Sequence, residues 1–260
     1  MIIDVNINLS RWPTRRLPCD ELPKLVERLR SCGVAQAWAG SFDGLLHKDV
    51  GGVNARLAAE CRQGRTELLQ PFGTVNPMLP DWREELRRCH EVHHMPGIRL
   101  HPNYHGYQLD NPVFAELLKL AAERGLIVQL VLRMEDPRMQ HPLLRVPDVE
   151  IKPLPDLVAA VPDLRLVLLN ALQILPSGVI TALVGAGRVY FEIATLEGVG
   201  GIAGLVTRVP LDRVLFGSHF PFFILESAVL KLRESELSPA QLDAIMFKNA
   251  QCISESRQSR

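Results

Sequence analysis

Short β-rich runs alternate with helical patterns along the whole chain, and that alternation limits the fold more than any other feature. Eight runs read as strands: 2–7, 34–39, 68–75, 97–102, 126–132, 164–169, 189–194 and 213–217. The fifth is almost purely apolar, as strands covered on both faces of a parallel sheet tend to be. Asp20 opens a helical pattern with Leu22, Leu25, Val26 and Leu29 on one face, and Gly33 stops it. Further helical patterns cover 53–62, a stretch from Asp81 through Trp82, Leu86 and Cys89, and a stretch from Asn111-Pro112 to Gly125. Others pass through Leu157 and Val161, cover 225–233, and run over 239–249 behind a Ser238 cap. A strand and its helix recur about every 30 residues, the length of a βαβ unit. Eight such units in 260 residues predict one α/β domain, a single (β/α)8 TIM barrel over residues 1–253. Residues 254–260 read as a polar, flexible tail. An open doubly wound sheet is the alternative, and only pairing of the first strand with the last separates the two.

Composition narrows the partners. The chain has 29 Lys and Arg against 29 Asp and Glu, without the basic excess that nucleic acid or an anionic membrane calls for. No apolar run reaches the roughly 18 residues of a membrane span, and Met1-Ile2-Ile3-Asp4 lacks the basic start of a signal peptide. Cys19, Cys32, Cys61, Cys89 and Cys252 form no CxxC pair and read as free thiols of a reducing compartment. The expectation is a cytoplasmic protein with a small-molecule substrate and no nucleic-acid or membrane partner. Exposed barrel helices leave a homodimer open.

In such a barrel, chemistry gathers at the C-terminal ends of the strands. Asp4, Asn6 and Asn8 share one face of the first strand at period two, and Val5, Ile7 and Leu9 the other. Asn76, Arg99, His101, Arg133, Asn170, Glu192, Ser218 and His219 stand at later strand ends. His101 and His219 are candidate proton carriers, because histidine titrates near neutrality; taken alone, each is somewhat better read as a buried, hydrogen-bonded histidine. Asn6, Asn8 and Asn170 suit a hydrogen-bonding cradle. Arg99 and Arg133 suit a carboxylate clamp or ion pairs with Glu135, Asp136 or Glu192. Tyr104, His105 and Tyr107 lie where a loop would cover a ligand, and Asp4 and Glu192 add carboxyl groups. His90, His93 and His94 have helical spacing and read as dipole partners at a helix C-terminus. The glycines of GVGGIAG are a weak phosphate-loop hint. No GxSxG elbow is present, and no cysteine falls at a strand end.

The segments MIIDVNINL, GIRLHPNYHGY, EDPRMQHPLL, PDLRLVLLNAL, RVLFGSHFPFF and the closing KNA resemble the amidohydrolase-related branch of the amidohydrolase superfamily. That resemblance implies a (β/α)8 enzyme that hydrolyses or decarboxylates small molecules. It also implies metal ligands: two histidines on strand one, one each after strands five and six, and an aspartate after strand eight. Here those positions hold Asn6, Asn8, Val131, Asn170 and His219. Zinc takes roughly three His, Asp, Glu or Cys ligands, so the expectation is no metal and no cofactor, with zinc as the fallback. The resulting reading is an amidohydrolase-like hydrolase or lyase for a small carboxylate, lactone or amide. His101, His219 and Asn170 are assigned to catalysis, and Asp4, Asn6, Asn8, Arg99, Tyr104, Arg133 and Glu192 to substrate binding. The alternatives are a noncatalytic barrel that binds a metabolite or partner protein, and a metal hydrolase with a rearranged site.

Overall fold

A computed structural model describes residues 1–63 and 67–255. The elements run β1 (Ile2–Leu9), α1 (Leu22–Ser31), β2 (Val34–Ser41), α2 (Val50–Gln63), β3 (Leu69–Thr74), α3 (Trp82–Glu91), β4 (Gly97–Leu100), α4 (Pro102–His105), α5 (Pro112–Glu123) and β5 (Ile127–Val131). They continue α6 (Leu154–Ala159), β6 (Arg165–Leu169), α7 (Ser177–Ala186), β7 (Arg188–Glu192), α8 (Gly201–Val206), β8 (Val214–Leu215), α9 (Leu225–Arg233), α10 (Pro239–Asp243) and α11 (Asn249–Glu255).

The strands pair in parallel and in chain order from β1 to β8. Val5 N donates to Phe216 O at 3.0 Å and Asn8 N to Phe220 O at 2.9 Å, and Ile7 bridges Phe220 in parallel. These bonds join the last strand to the first, so the sheet is a (β/α)8 barrel and the open sheet is excluded. Two apolar clusters follow from that ring. Ile3, Val5, Trp38, Phe72, Ile127, Val131, Val167, Leu169 and Leu215 pack together inside it. Ile7, Leu9, Ile98, Leu100, Val128, Leu130, Leu166 and Leu168 pack outward against helix residues such as Leu29, Leu57, Leu117 and Leu183. Ala250 and Ile253 of α11 join the inner cluster, and the Arg165 guanidinium at the start of β6 donates to Ile253 O beneath it.

Strict alternation on β1 does not hold. The register against β2 shifts between Asp4 and Ile7, so Val5 packs with the inner cluster and Ile7 with the outer one. A bulge of this kind moves the following side chains to the opposite face. Smaller differences have local causes. Asp20 pairs with Arg16 at 2.5 Å instead of capping α1, and α2 starts three residues before the expected Val53. Helix α7 is apolar around its circumference and carries no face for a periodicity to mark. His93 and His94 fall beyond the end of α3, with His94 at φ 54°, so the three histidines do not share a helical turn. Ser254 and Glu255 belong to α11, and the rest of the expected tail, 256–260, lies outside the described residues. No helix among the described residues is long and apolar enough to cross a membrane.

Candidate functional site

The predicted residues converge at the C-terminal mouth of the barrel, in two groups. The first joins β1, β6, β7 and β8. Glu192, at the end of β7, is fully buried. Its Oε1 accepts from Asn170 N at 2.6 Å and from Asn6 Nδ2 at 3.4 Å, and its Oε2 accepts from Ala194 N. Asn6 Nδ2 also donates to Asn170 Oδ1 at 2.9 Å, and Asn170 Nδ2 to Arg133 O at 2.7 Å. Asp4 Oδ1 accepts from Asn6 N and Ser218 N, both at 3.0 Å, while the Ser218 hydroxyl donates to Oδ2. His219 Nε2 lies 2.8 Å from Met134 O. A carbonyl only accepts, so Nε2 carries the hydrogen and the Nδ1 lone pair faces Asn170 Nδ2 at 3.4 Å.

Asn170 and His219 both sit in the left-handed region, at φ 54° and 57°. Asn and His tolerate it better than most residues, and it turns both side chains back into the mouth. Burial dominates the protonation of this group. It pushes the Asp4 carboxyl up to about 7, against the opposing hydrogen bonds from Ser218 and Asn6. It also raises Glu192 and lowers His219 to about 4.

The second group joins β1, β2, β4 and β5. Arg99 is wholly buried at the barrel centre. Its guanidinium donates to Gln129 Oε1 (2.7 Å), Ile7 O (2.7 Å), Asn8 Oδ1 (2.8 Å) and Trp38 O (3.0 Å). Gln129 Nε2 in turn donates to Val5 O at 2.7 Å. The β1 bulge turns the Val5 and Ile7 carbonyls inward, and Arg99 and Gln129 satisfy them. Gly40 leaves the space, since a Cβ there would lie 2.7 Å from the Arg99 guanidinium. Arg99 is thus mainly a brace, held by four neutral acceptors. His101 follows on β4, its ring 5.9 Å from that of His105. Burial takes it well below the usual histidine range, so it is neutral. No hydrogen bond among the described residues joins His101 to His219.

An aromatic roof closes the mouth. Trp12 meets Phe42 at 5.3 Å, Phe222 at 4.8 Å and Tyr104 at 6.3 Å between ring centroids, and Phe222 stacks on His219 at 5.0 Å. These rings come from the loops after β1, β2, β4 and β8. Arg15 pairs with Glu135 and lies over Phe222. Arg133 pairs with Asp148 at 2.6 Å instead of any of the three acids expected from the sequence. Asp136 pairs with Arg138, and His141 Nδ1 accepts from Leu143 N, which shapes the loop after β5. A groove of about 610 Å³ between α1 and the loop after β8 is lined by Phe222 and Phe223, whose rings contact His219, and by none of the polar residues of the two groups. None of the five cysteines, all among the described residues, forms a disulfide. Sequence reasoning missed Gln129 and Thr74; the signal for Gln129 was a lone polar residue inside an apolar strand.

The profile of the amidohydrolase family, Amidohydro_2, matches residues 12–252, and the chain belongs to that family. No curated protein matches it by sequence. Among solved structures it is similar to 5-carboxyvanillate decarboxylase of Sphingomonas paucimobilis, with TM-score 0.74, 13% identity and 98% of each chain covered. It is also similar to 2,6-dihydroxybenzoate decarboxylase complexed with 2,6-dihydroxybenzoate, with TM-score 0.71, 15% identity, and 98% of this chain and 99% of that one covered. A third is dihydroxybenzoic acid decarboxylase of Polaromonas sp. JS666 with bound manganese and the inhibitor 2-nitroresorcinol, with TM-score 0.68, 14% identity and 97% of each chain covered.

The manganese in that structure corrects the expectation of no cofactor with zinc as the fallback: a divalent metal belongs in any test of this chain. Asp4, Glu192 and His219 are donors of the kind manganese accepts. In this arrangement Asp4 and Glu192 are committed to backbone N–H groups and a hydroxyl. Among the described residues no three His, Cys, Asp or Glu side chains are grouped to hold a metal ion. The residues as arranged do not fit the metal, and no chemical step is derived through it.

Proposed function

We propose that this protein is a decarboxylase of a small aromatic or unsaturated carboxylic acid, acting where Asp4, Asn170, Glu192 and His219 meet. The supporting observation is chemical complementarity within one buried group: burial keeps a proton on Asp4 and takes one from His219. Decarboxylation breaks the bond from the carboxylate to its neighbouring carbon, releases CO2, and leaves an electron pair on that carbon. The carbon then needs a proton. Asp4, its carboxyl raised to about 7, keeps a proton that faces the Ser218 hydroxyl, and in this reading Ser218 passes that proton on to the carbon. His219 Nδ1, which faces Asn170, is an unprotonated base at the same mouth. Asn6 and Asn170 orient the acid, Tyr104 and the other roof rings keep water out, and the Arg99 charge draws an anion inward. His101, across the mouth, touches the remote end of the substrate. The manganese decarboxylases of the same fold support the reaction class.

The test measures CO2 release from 2,6-dihydroxybenzoate, 5-carboxyvanillate and simpler benzoates, with and without added manganese. Turnover is expected, reduced at least about 100-fold in His219→Ala. Hydrolysis of lactones or amides without CO2 release would replace the decarboxylase with a hydrolase. Binding without any turnover would make the chain a noncatalytic relative.

A further inference from the structure

Helix α9 sends one cation across to the end of β7. Lys231 lies in its last turn, where a lysine ordinarily faces water and answers the helix dipole. Here the side chain is half-buried, and Nζ donates to Ile193 O at 2.7 Å and to Ala194 O at 3.0 Å. Both partners are neutral carbonyls, so no ion pair at contact distance repays the desolvation of the ammonium. Burial draws Lys231 below its ordinary range, and the charges of Glu192 and Glu197 oppose that. Lys231 in turn favours the Glu192 carboxylate.

The link between the two side chains is a single peptide group, the one joining Ile193 to Ala194. Its oxygen accepts from Lys231 Nζ and also from Leu196 N at 3.1 Å, while its N–H donates to Glu192 Oε2. A peptide group is planar and cannot turn one end without the other. The ammonium on the oxygen therefore fixes the direction in which the N–H points. It also draws electron density toward that oxygen, which strengthens the N–H as a donor. Glu192 is then held at both carboxylate oxygens, Oε2 by Ala194 N and Oε1 by Asn170 N at 2.6 Å. Retreat toward β8 is blocked, because even a Cβ on Gly217 would lie 2.5 Å from Oε2.

We infer that Lys231 is a positioning residue: through the Ile193–Ala194 peptide it fixes the Glu192 carboxylate against Asn170 and Asn6. Its use in turnover rests on the decarboxylase reading, whereas the positioning itself does not. The test compares Lys231→Met, which keeps the stem and removes the donors, with Lys231→Arg, which restores them. Amide hydrogen exchange, resolved by nuclear magnetic resonance, reads the result. Lys231→Met should speed exchange at Asn170 about tenfold relative to the strand amides of β4 and β5. Lys231→Arg should return it to within about threefold of wild type. A lysine that merely ties α9 to the turn after β7 would alter exchange at Ala194 and in α9. It would leave Asn170 alone, since Lys231 reaches that amide only through Glu192. Unchanged relative exchange at Asn170 in Lys231→Met, or fast exchange in both variants, overturns the positioning role. With the exchange pattern as expected, kcat for CO2 release should fall about tenfold in Lys231→Met, with KM within about threefold of wild type. Full kcat in that variant overturns the use of the positioning in turnover. No CO2 release from the wild type, with the exchange pattern intact, overturns only the decarboxylase.

Discussion

Asp4 and His219 lie on either side of Ser218, and burial shifts them in opposite directions with opposite consequences for stability. The Asp4 carboxyl rises from 3.8 to about 7. The folded chain therefore holds a proton that the unfolded chain has lost, and stability falls as pH rises from about 4 to about 7. His219 drops from 6.5 to about 4. There the unfolded chain binds the extra proton, so stability rises with pH over nearly the same window. One slope masks much of the other. Asp4→Asn removes only the falling slope, and its amide oxygen can still accept from Asn6 N and Ser218 N. The variant should gain up to about 4 kcal/mol of acid sensitivity relative to wild type between pH 4 and 7. Urea midpoints at pH 5 and pH 7.5 measure this directly, and an unchanged difference between them would show that Asp4 ionises normally. In the decarboxylase reading the same variant also loses turnover, because the proton that Ser218 passes on is gone.

At the scale of elements, β7 and β8 fit together only because one residue lacks a side chain. A Cβ on Gly217 would lie 2.5 Å from Glu192 Oε2 and 2.9 Å from Glu192 Cβ. Gly217→Ala must therefore push Glu192 off the Asn170 and Ala194 amides. Turnover should fall about tenfold or more, as misplaced site groups cause, while far-ultraviolet circular dichroism stays that of the folded barrel. Unchanged turnover would separate Glu192 from the chemistry. This dependence was not legible in the sequence, where Gly217 reads as a strand end. All eight strands were legible, as were the Asn111 and Ser238 caps and the limits of α9, because local residue chemistry sets them. The β1 bulge was not, because it is fixed by pairing with β2 and by the inward carbonyls that Arg99 and Gln129 satisfy. Of the residues named at the strand ends, Asp4, Asn6, Asn170 and Glu192 share one hydrogen-bonded group and Asn8 and Arg99 another, while Arg133 turns to Asp148 and Gln129 went unnamed. Their division into two groups was invisible, since it depends on which neighbours the ring places beside each strand.

At the scale of the molecule, the polar mouth lies beneath rings contributed by four separate loops. Trp12 is the hub of that roof, touching Phe42, Tyr104 and Phe222 and remaining only 3% exposed. Trp12→Ala should cost about 3–5 kcal/mol of stability and speed hydrogen exchange at the amides of those loops more than at the barrel strands. Uniform acceleration throughout the barrel would show that Trp12 supports the whole fold and is no separate cover. Because His219 lies directly under Phe222, a ligand cannot reach it by collision alone. Association becomes a wait followed by a capture: the observed rate climbs with ligand concentration and then levels off at the frequency with which four loops part together.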